Sequence, residues 1–200
     1  MRNFIDELEV NGHLTIIKRY NDGIEEVIFD DHNIIVSGMG VGLTYLFTAS
    51  GSNSILDYQI DRFQLGVSGG TALEVSTTNE LSSGLTYAQY GAGSNLYIED
   101  MNQMVGDYLF ASACAIIPPN KITKIGEMSV RYTLVVDEEA ANDLVGANAE
   151  EVYLSEIGLL MKNPKGNSPP NESILTAYRA FTNIRKTSDF SLIFRWTLNF

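Results

Sequence analysis

The stretch Phe190-Ser191-Leu192-Ile193-Phe194-Arg195-Trp196-Thr197-Leu198-Asn199-Phe200 decides the fold class. Phe190, Leu192, Phe194, Trp196, Leu198 and Phe200 share one parity; Ser191, Ile193, Arg195, Thr197 and Asn199 share the other. Successive side chains of a strand point to opposite faces, so this unbroken alternation predicts one long strand with an apolar inner face. The pattern reaches residue 200, so this end of the chain is expected inside a sheet and is a candidate strand donor for a neighbouring sheet.

Working backwards, EVYLSEIGLLM (151–161) and ILTAYRAF (174–181) read as two further strands. The Pro/Gly/Asn-rich segment 162–173 between them reads as a projecting tip, and 183–189 turns the chain into the last strand. Residues 125–136 alternate well enough to predict a single strand, and 108–117 (YLFASACAII) reads as a strand stopped by Pro118-Pro119. Segment 137–150 is acidic and Ala-rich and is expected to form one helical turn plus a loop. Segment 85–105 is expected to form strand, turn and strand. Near the start, LTIIKRY (14–20) and IEEVIF (24–29) flank Asn21-Asp22-Gly23, a strong hairpin signal. A strand at 58–67 carries Ile60, Phe63, Leu65 and Val67 as core candidates. Leu43, Leu46 and Phe47 have helical spacing, which predicts a short helix beginning within 38–42.

These elements sum to a mainly β chain, an antiparallel β-sandwich or jelly-roll-like domain with a short helical insertion. Its 200 residues fit one domain spanning 1–200, with 1–12 as an N-terminal arm. Thirteen basic and 25 acidic residues give a net charge of −12. That opposes a general phosphate-binding surface, so nucleic acid is not an expected partner. Acids outnumber bases 21 to 7 over residues 1–150, whereas 151–200 hold 4 acids and 6 bases. This asymmetry reads as solvated loops, or as copies meeting head to tail. One cysteine excludes a disulfide framework and a multi-cysteine zinc site. No apolar run reaches the roughly 20 residues of a membrane-spanning helix, and the first residues read as no secretory signal.

No catalytic constellation emerges. Ser37-Gly38-Met39-Gly40-Val41-Gly42 follows an apolar strand, but its spacing is Gly-x-Gly-x-Gly, so it reads as a tight strand-to-helix corner rather than a dinucleotide loop. His13 and His32 are the only histidines, and Asp30-Asp31-His32 reads as a solvated turn. Cys114 sits in an apolar run and reads as a small core residue. The carboxylate pairs Glu25/Glu26, Asp30/Asp31, Glu138/Glu139 and Glu150/Glu151 are sequence neighbours and do not span a cleft. Tyr45, Tyr58, Tyr87, Tyr90, Tyr97 and Tyr108 form an aromatic-rich centre suited to core packing, a subunit contact or a carbohydrate platform. The chain is therefore not read as an enzyme, and neither cofactor nor metal is expected.

Two stretches carry a resemblance. HNIIVSGMGVGLTYLF (32–47), continued by FQLGVS (63–68) and TNEL (78–81), gives His-Asn, an apolar pair, Gly, a short helix, a strand ending Leu-Gly, and Thr-x-x-Leu. VYLSEIGLLM (152–161) with ILTAYRAFTNIRKTSDFSLIFRWTLNF (174–200) gives Leu-x-Glu-apolar-Gly-Leu, Leu-x-Ala-Tyr-x-x-Phe, Ile-x-Lys-Thr and the alternating strand. These patterns resemble virion structural proteins of tailed bacteriophages, those of the tail fibre, neck and baseplate region. The resemblance implies a β-rich protein, assembled in the host cytoplasm into the virion as a symmetric oligomer, joining tail or fibre components. Its implied partners are copies of itself and other virion proteins. The alternatives are a capsid decoration protein or a host-surface carbohydrate-binding module that takes glycans. Interface candidates are Phe194, Trp196, Leu198 and Phe200 on the last strand, and Asn167, Pro169 and Pro170 on the 162–173 tip.

Overall fold

The computed structural model describes residues 10–48, 58–67, 77–78, 80–91, 96, 98–99, 114–146, 148–163 and 172–200. Its strands are β1 (Asn11–Tyr20), β2 (Glu25–Ile35), β3 (Ile60–Gly66), β4 (Ile98–Glu99), β5 (Cys114–Ile116), β6 (Ile122–Gly126), β7 (Ser129–Val136), β8 (Leu154–Asn163), β9 (Glu172–Ile184) and β10 (Phe190–Asn199). Helix α1 spans Ser37–Phe47 and the one-turn α2 spans Tyr87–Tyr90. The strands form one antiparallel sheet in the order β4-β5-β3-β8-β9-β2-β1-β10-β7-β6, curled into a half-barrel.

The hairpin signal at residues 21–23 is realised in detail. Gly23 N–H donates to Tyr20 O and Tyr20 N–H to Ile24 O, both at 2.9 Å. Gly23 has φ +87°, a backbone region that only glycine enters without steric cost. The alternation expected for 190–200 shows in the burial from Phe194 onward, whereas Ser191 and Ile193 on the opposite face are buried as well. Leu192, Phe194, Trp196 and Leu198 are fully buried, whereas Arg195, Thr197 and Asn199 are half-buried on the opposite face.

The curl brings strands distant in order face to face. Phe63 of β3 lies 6.0 Å from Trp196 of β10, ring centre to ring centre, and Phe181 of β9 lies 6.2 Å from Phe194. Leu14, Ile16, Leu65, Ile157 and Leu159 fill the same core. A second cluster on the reverse face of β8 and β9 joins Val36, Leu81, Cys114, Leu160, Leu175 and Tyr178. Two-sided burial explains why β8 reads as a continuous apolar run rather than an alternating one.

Helix α1 begins at Ser37, slightly earlier than its apolar spacing suggests. Its glycines serve close packing. A Cβ on Gly38 would overlap the backbone oxygen of Leu175, and one on Gly42 would overlap the Met161 sulfur. Gly40 faces open space. The Gly-x-Gly-x-Gly run is thus a helix-on-sheet corner, as its spacing implies.

Three local expectations are corrected. Segment 125–136 is not one strand: β6 and β7 form a hairpin around Glu127 and Met128, and the apolar parity continues across that turn by coincidence. Residues 87–90 are helical rather than extended, because Thr86 and Gln89 form a reciprocal capping box. The described part of 137–150 has turns and bends but no helical turn; Ala141 and Asp143 sit at positive φ, incompatible with a continuing helix.

Candidate interaction surfaces

The last strand does not offer itself to a neighbour. β10 lies between β1 and β7, paired from Tyr20↔Phe190 to Asn11↔Asn199 on one side and from Leu192↔Val136 to Asn199↔Ser129 on the other. Phe194, Trp196 and Leu198 are 0% exposed core residues. Their expected interface role is corrected accordingly: β10 has no vacant edge to donate, and its apolar face is spent inside the chain. Of the four, Phe200 alone reaches solvent. Asn167, Pro169 and Pro170 lie outside the described residues.

The described sheet ends at β4 on one side and at β6 on the other, and among the described residues β6 pairs with β7 alone. Thr123, Lys124, Ile125 and Gly126 are all exposed along it. Met128 in the β6–β7 turn accepts from Phe200 N–H at 3.0 Å, so the exposed side chains of Ile125, Met128 and Phe200 belong to one corner of the molecule. Exposed apolar side chains beside an unpaired strand are a template for association. Lys124 is the one charged residue within β6. Sequence reading missed this edge by fusing β6 to β7; Gly126-Glu127 was the available turn signal.

The residues that carry the bacteriophage resemblance meet inside the fold. Glu156, from Leu-x-Glu-apolar-Gly-Leu, is 0% exposed. Its carboxylate accepts from Ser82 N–H at 3.0 Å, Ser83 N–H at 2.7 Å and the Tyr178 hydroxyl at 2.8 Å. Tyr178 comes from the Leu-x-Ala-Tyr-x-x-Phe stretch. Gly66, from the Leu-Gly strand end, pairs with Glu156, and a Cβ there would crowd both that carboxylate and Ser83 O. A Cβ on Gly158 would fall 2.5 Å from Leu175 and 2.8 Å from Leu81. Strand, loop and strand are therefore locked by one buried carboxylate. Lys186, of Ile-x-Lys-Thr, is a second buried anchor, 2% exposed. Its ammonium donates to Asn142 Oδ1 at 2.8 Å and Thr187 O at 2.7 Å, and lies 5.3 Å from the Phe190 ring centre. Burial pulls the Lys186 pKa down to about 8, against the opposing pull of Glu138, Asp137, Asp143 and Asp189.

The two histidines pair across β1 and β2 rather than lying in a turn. His13 opposes His32, with ring centres 5.4 Å apart, and Asp30 contacts His13 Nε2 at 2.8 Å and accepts from Thr15 Oγ1 at 2.7 Å. The Thr15 and His13 hydrogen bonds hold the Asp30 carboxyl below its usual pKa. Among the described residues no group of three potential metal ligands converges. Of the tyrosine-rich centre, Tyr58 and Tyr90 are buried and Tyr87 is exposed, while Tyr97 and Tyr108 lie outside the described residues.

A fork opens between β2 and β9. Only Ile34↔Tyr178 and Ile35↔Ala177 pair. Both strands are irregular beyond that point. Ile16 and Ile17 oppose Phe29 and Val27, leaving Ile28 as an extra residue in β2; β9 carries extra residues between Ala180 and Ile184 relative to β8. Such bulges bend a strand and increase its twist, which parts the two edges. Asp31 and Arg179 bridge the seam at 2.7 Å, and Phe29 and Phe181 stand 6.1 Å apart. The resulting cleft, about 270 Å³, has an apolar floor of Ile28, Phe29 and Ile184, with Lys18 and Arg185 among its polar lining.

No protein-family model, curated protein or solved structure matches the chain. No helix among the described residues is long and apolar enough to cross a membrane.

Proposed function

We propose that this chain is a structural virion protein of a tailed bacteriophage. It assembles as a symmetric oligomer in the neck, tail or baseplate and joins tail or fibre components. The observation that carries this reading is the β6 edge: among the described residues, a strand edge without a ladder partner, flanked by exposed Ile125, Met128 and Phe200 at one end of the sheet. The resemblance supplies the virion context, and its motif residues build the lock around Glu156 and the anchor at Lys186. The finer architecture belongs to the same reading. We read the curled sheet as sandwich-like, two halves closing over one core, a reading supported by the approach of Phe63 to Trp196. In this reading the partners are other copies and neighbouring virion proteins, and no reaction is assigned.

Quantitative mass spectrometry of purified particles of the source virus tests it. Roughly ten copies per particle are expected for a ring or a set of trimers with closed symmetry. Hundreds would move the chain to the capsid surface as a decoration protein, and absence from the particle would overturn the reading. Replacing Ile125 and Met128 by Asp is expected to leave the fold intact, because both are exposed, and to reduce self-association in solution.

A further inference from the structure

We propose that Lys186 and Asn142 join in an isopeptide bond, a covalent staple between the segment after β7 and the turn before β10. This goes beyond the virion reading and does not depend on it. The reacting groups are already in contact. Lys186 is 2% exposed, and its Nζ donates to Asn142 Oδ1 at 2.8 Å. Asn142 is itself held: its Nδ2 donates to Glu138 O at 2.6 Å. Beside it, Asp143 N–H donates to Lys186 O at 2.9 Å, so the two segments are fixed to each other by main chain as well as side chain. The Phe190 ring, centred 5.3 Å from Nζ, adds an apolar wall. Desolvation favours the neutral, nucleophilic form of a lysine, and burial here brings the pKa down to about 8. Fixing amine and acyl group side by side supplies what the same reaction between free molecules lacks.

Four carboxylates act on Lys186, those of Glu138, Asp137, Asp143 and Asp189, with Glu138 the strongest. Their negative charge makes them poor acyl groups, whereas the Asn142 carboxamide is neutral and is the acyl group in contact. The carboxylates serve as proton carriers instead. Glu138 takes one proton from the Lys186 ammonium. The Nζ lone pair then forms a bond to Cγ of Asn142. The Cγ–Nδ2 bond breaks, Nδ2 takes a second proton from Nζ and leaves as ammonia, and Glu138 returns its proton to the departing ammonia. The third proton stays on Nζ as the new amide N–H, and no oxidant or reductant takes part. The staple closes the chain between residues 142 and 186. Such a cross-link restricts the unfolded chain as a disulfide does, in a chain whose one cysteine forms no internal disulfide. Before closure Lys186 titrates as an amine; after closure that titration is lost.

The test is the mass of the full chain, kept folded at about pH 8 for several days and then denatured for intact-mass spectrometry. The expected mass is that of the sequence less one ammonia. Trypsin should then fail to cut after Lys186 and release one branched peptide, residues 132–162 joined to 186–195. Fragmentation should place the branch at Asn142 and Lys186. Lys186→Arg and Asn142→Ala are each expected to show their full sequence mass. If either variant folds poorly, the mass of the unsubstituted chain still decides. An unsubstituted chain at its full sequence mass overturns the proposal. So does an ammonia loss without a branched peptide, which marks a succinimide at an asparagine instead.

Discussion

Removing the Glu156 carboxylate is the sharpest test of the lock. Its three donors come from two segments: the Ser82 and Ser83 amides from the loop after β3, and the Tyr178 hydroxyl from β9. Glu156→Ala leaves all three without their acceptor: the Tyr178 hydroxyl is in a buried bond, the Ser83 amide is on a half-buried residue and Ser82 is exposed, so water can replace the acceptor there. An unsatisfied buried donor costs about 1–3 kcal/mol. The alanine variant also relieves the cost of burying a charge, which offsets part of the sum. The net expectation is a loss of about 2–4 kcal/mol. Glu156→Gln retains one acceptor oxygen. Oε2 serves two donors and Oε1 one, so the best amide orientation keeps Ser82 and Tyr178 and sets the NH2 group against Ser83 N–H. That variant should lose about 1–3 kcal/mol. Tyr178→Phe deletes one donor to a charged acceptor and should cost about 1.5–3 kcal/mol. Urea unfolding of the three variants gives the order, and amide hydrogen exchange locates it: Ser82 and Ser83 should lose protection in the alanine variant. An alanine variant within about 1 kcal/mol of the parent, with both amides still protected, would refute the lock.

Lys186 should make stability rise with pH. Its folded pKa of about 8 lies below its usual 10.5, so between those values the unfolded chain binds the extra proton and raising the pH favours the fold. Tyr132 and Tyr90 act oppositely above about pH 10, since burial raises both and their ionisation favours the unfolded chain. Thermal or urea stability should therefore climb by on the order of 1–2 kcal/mol from pH 8 to a maximum near pH 10, and Lys186→Met should flatten the climb; an unchanged slope in that variant counts against the assignment. Gly38→Ala should cost about 1–3 kcal/mol by forcing α1 off the Leu175 carbonyl, whereas Gly40→Ala should gain about 0.5–1 kcal/mol; equal effects in chemical denaturation would contradict the corner. Phe194→Asp or Trp196→Asp should prevent folding, because each buries an unpaired charge in the core; native-like circular dichroism from either would show the face assignment to be wrong.

What was legible in the sequence follows period and turn chemistry. The hairpin around Gly23, the strands β8, β9 and β10, and the core parity of β10 all come from local patterns with one physical reading. The strand order does not, because it is set by which edges meet after folding. Thus β10 could be read as a strand but not as an interior one, and its apolar face was mistaken for a contact surface. The β6 edge was hidden because Ile125, Met128 and Val130 continue the period of β7 through a turn. Glu156 and Lys186 were visible only as letters in a resemblance; their hydrogen-bond partners Ser82 and Asn142 lie 74 and 44 residues away, beyond any local pattern. The fork depends on bulges in two strands, and neither bulge has a glycine at the extra position to announce it.

The pairing of β1 with β10 has a consequence for synthesis. Asn11 and Asn199, 188 residues apart, share a hydrogen bond at 3.1 Å. On the ribosome, β1 and β2 emerge before the other strands and can form their hairpin, but one long border of β1 stays open until β10 has been translated. At about 5–20 residues per second that exposure lasts some ten seconds or more. Nascent chains on one polysome would present that border side by side, in the company of many identical copies. The Lys18 and Arg19 charges along β1 then have a use before the native state exists: they keep waiting strands from zipping to each other instead of to their own last strand.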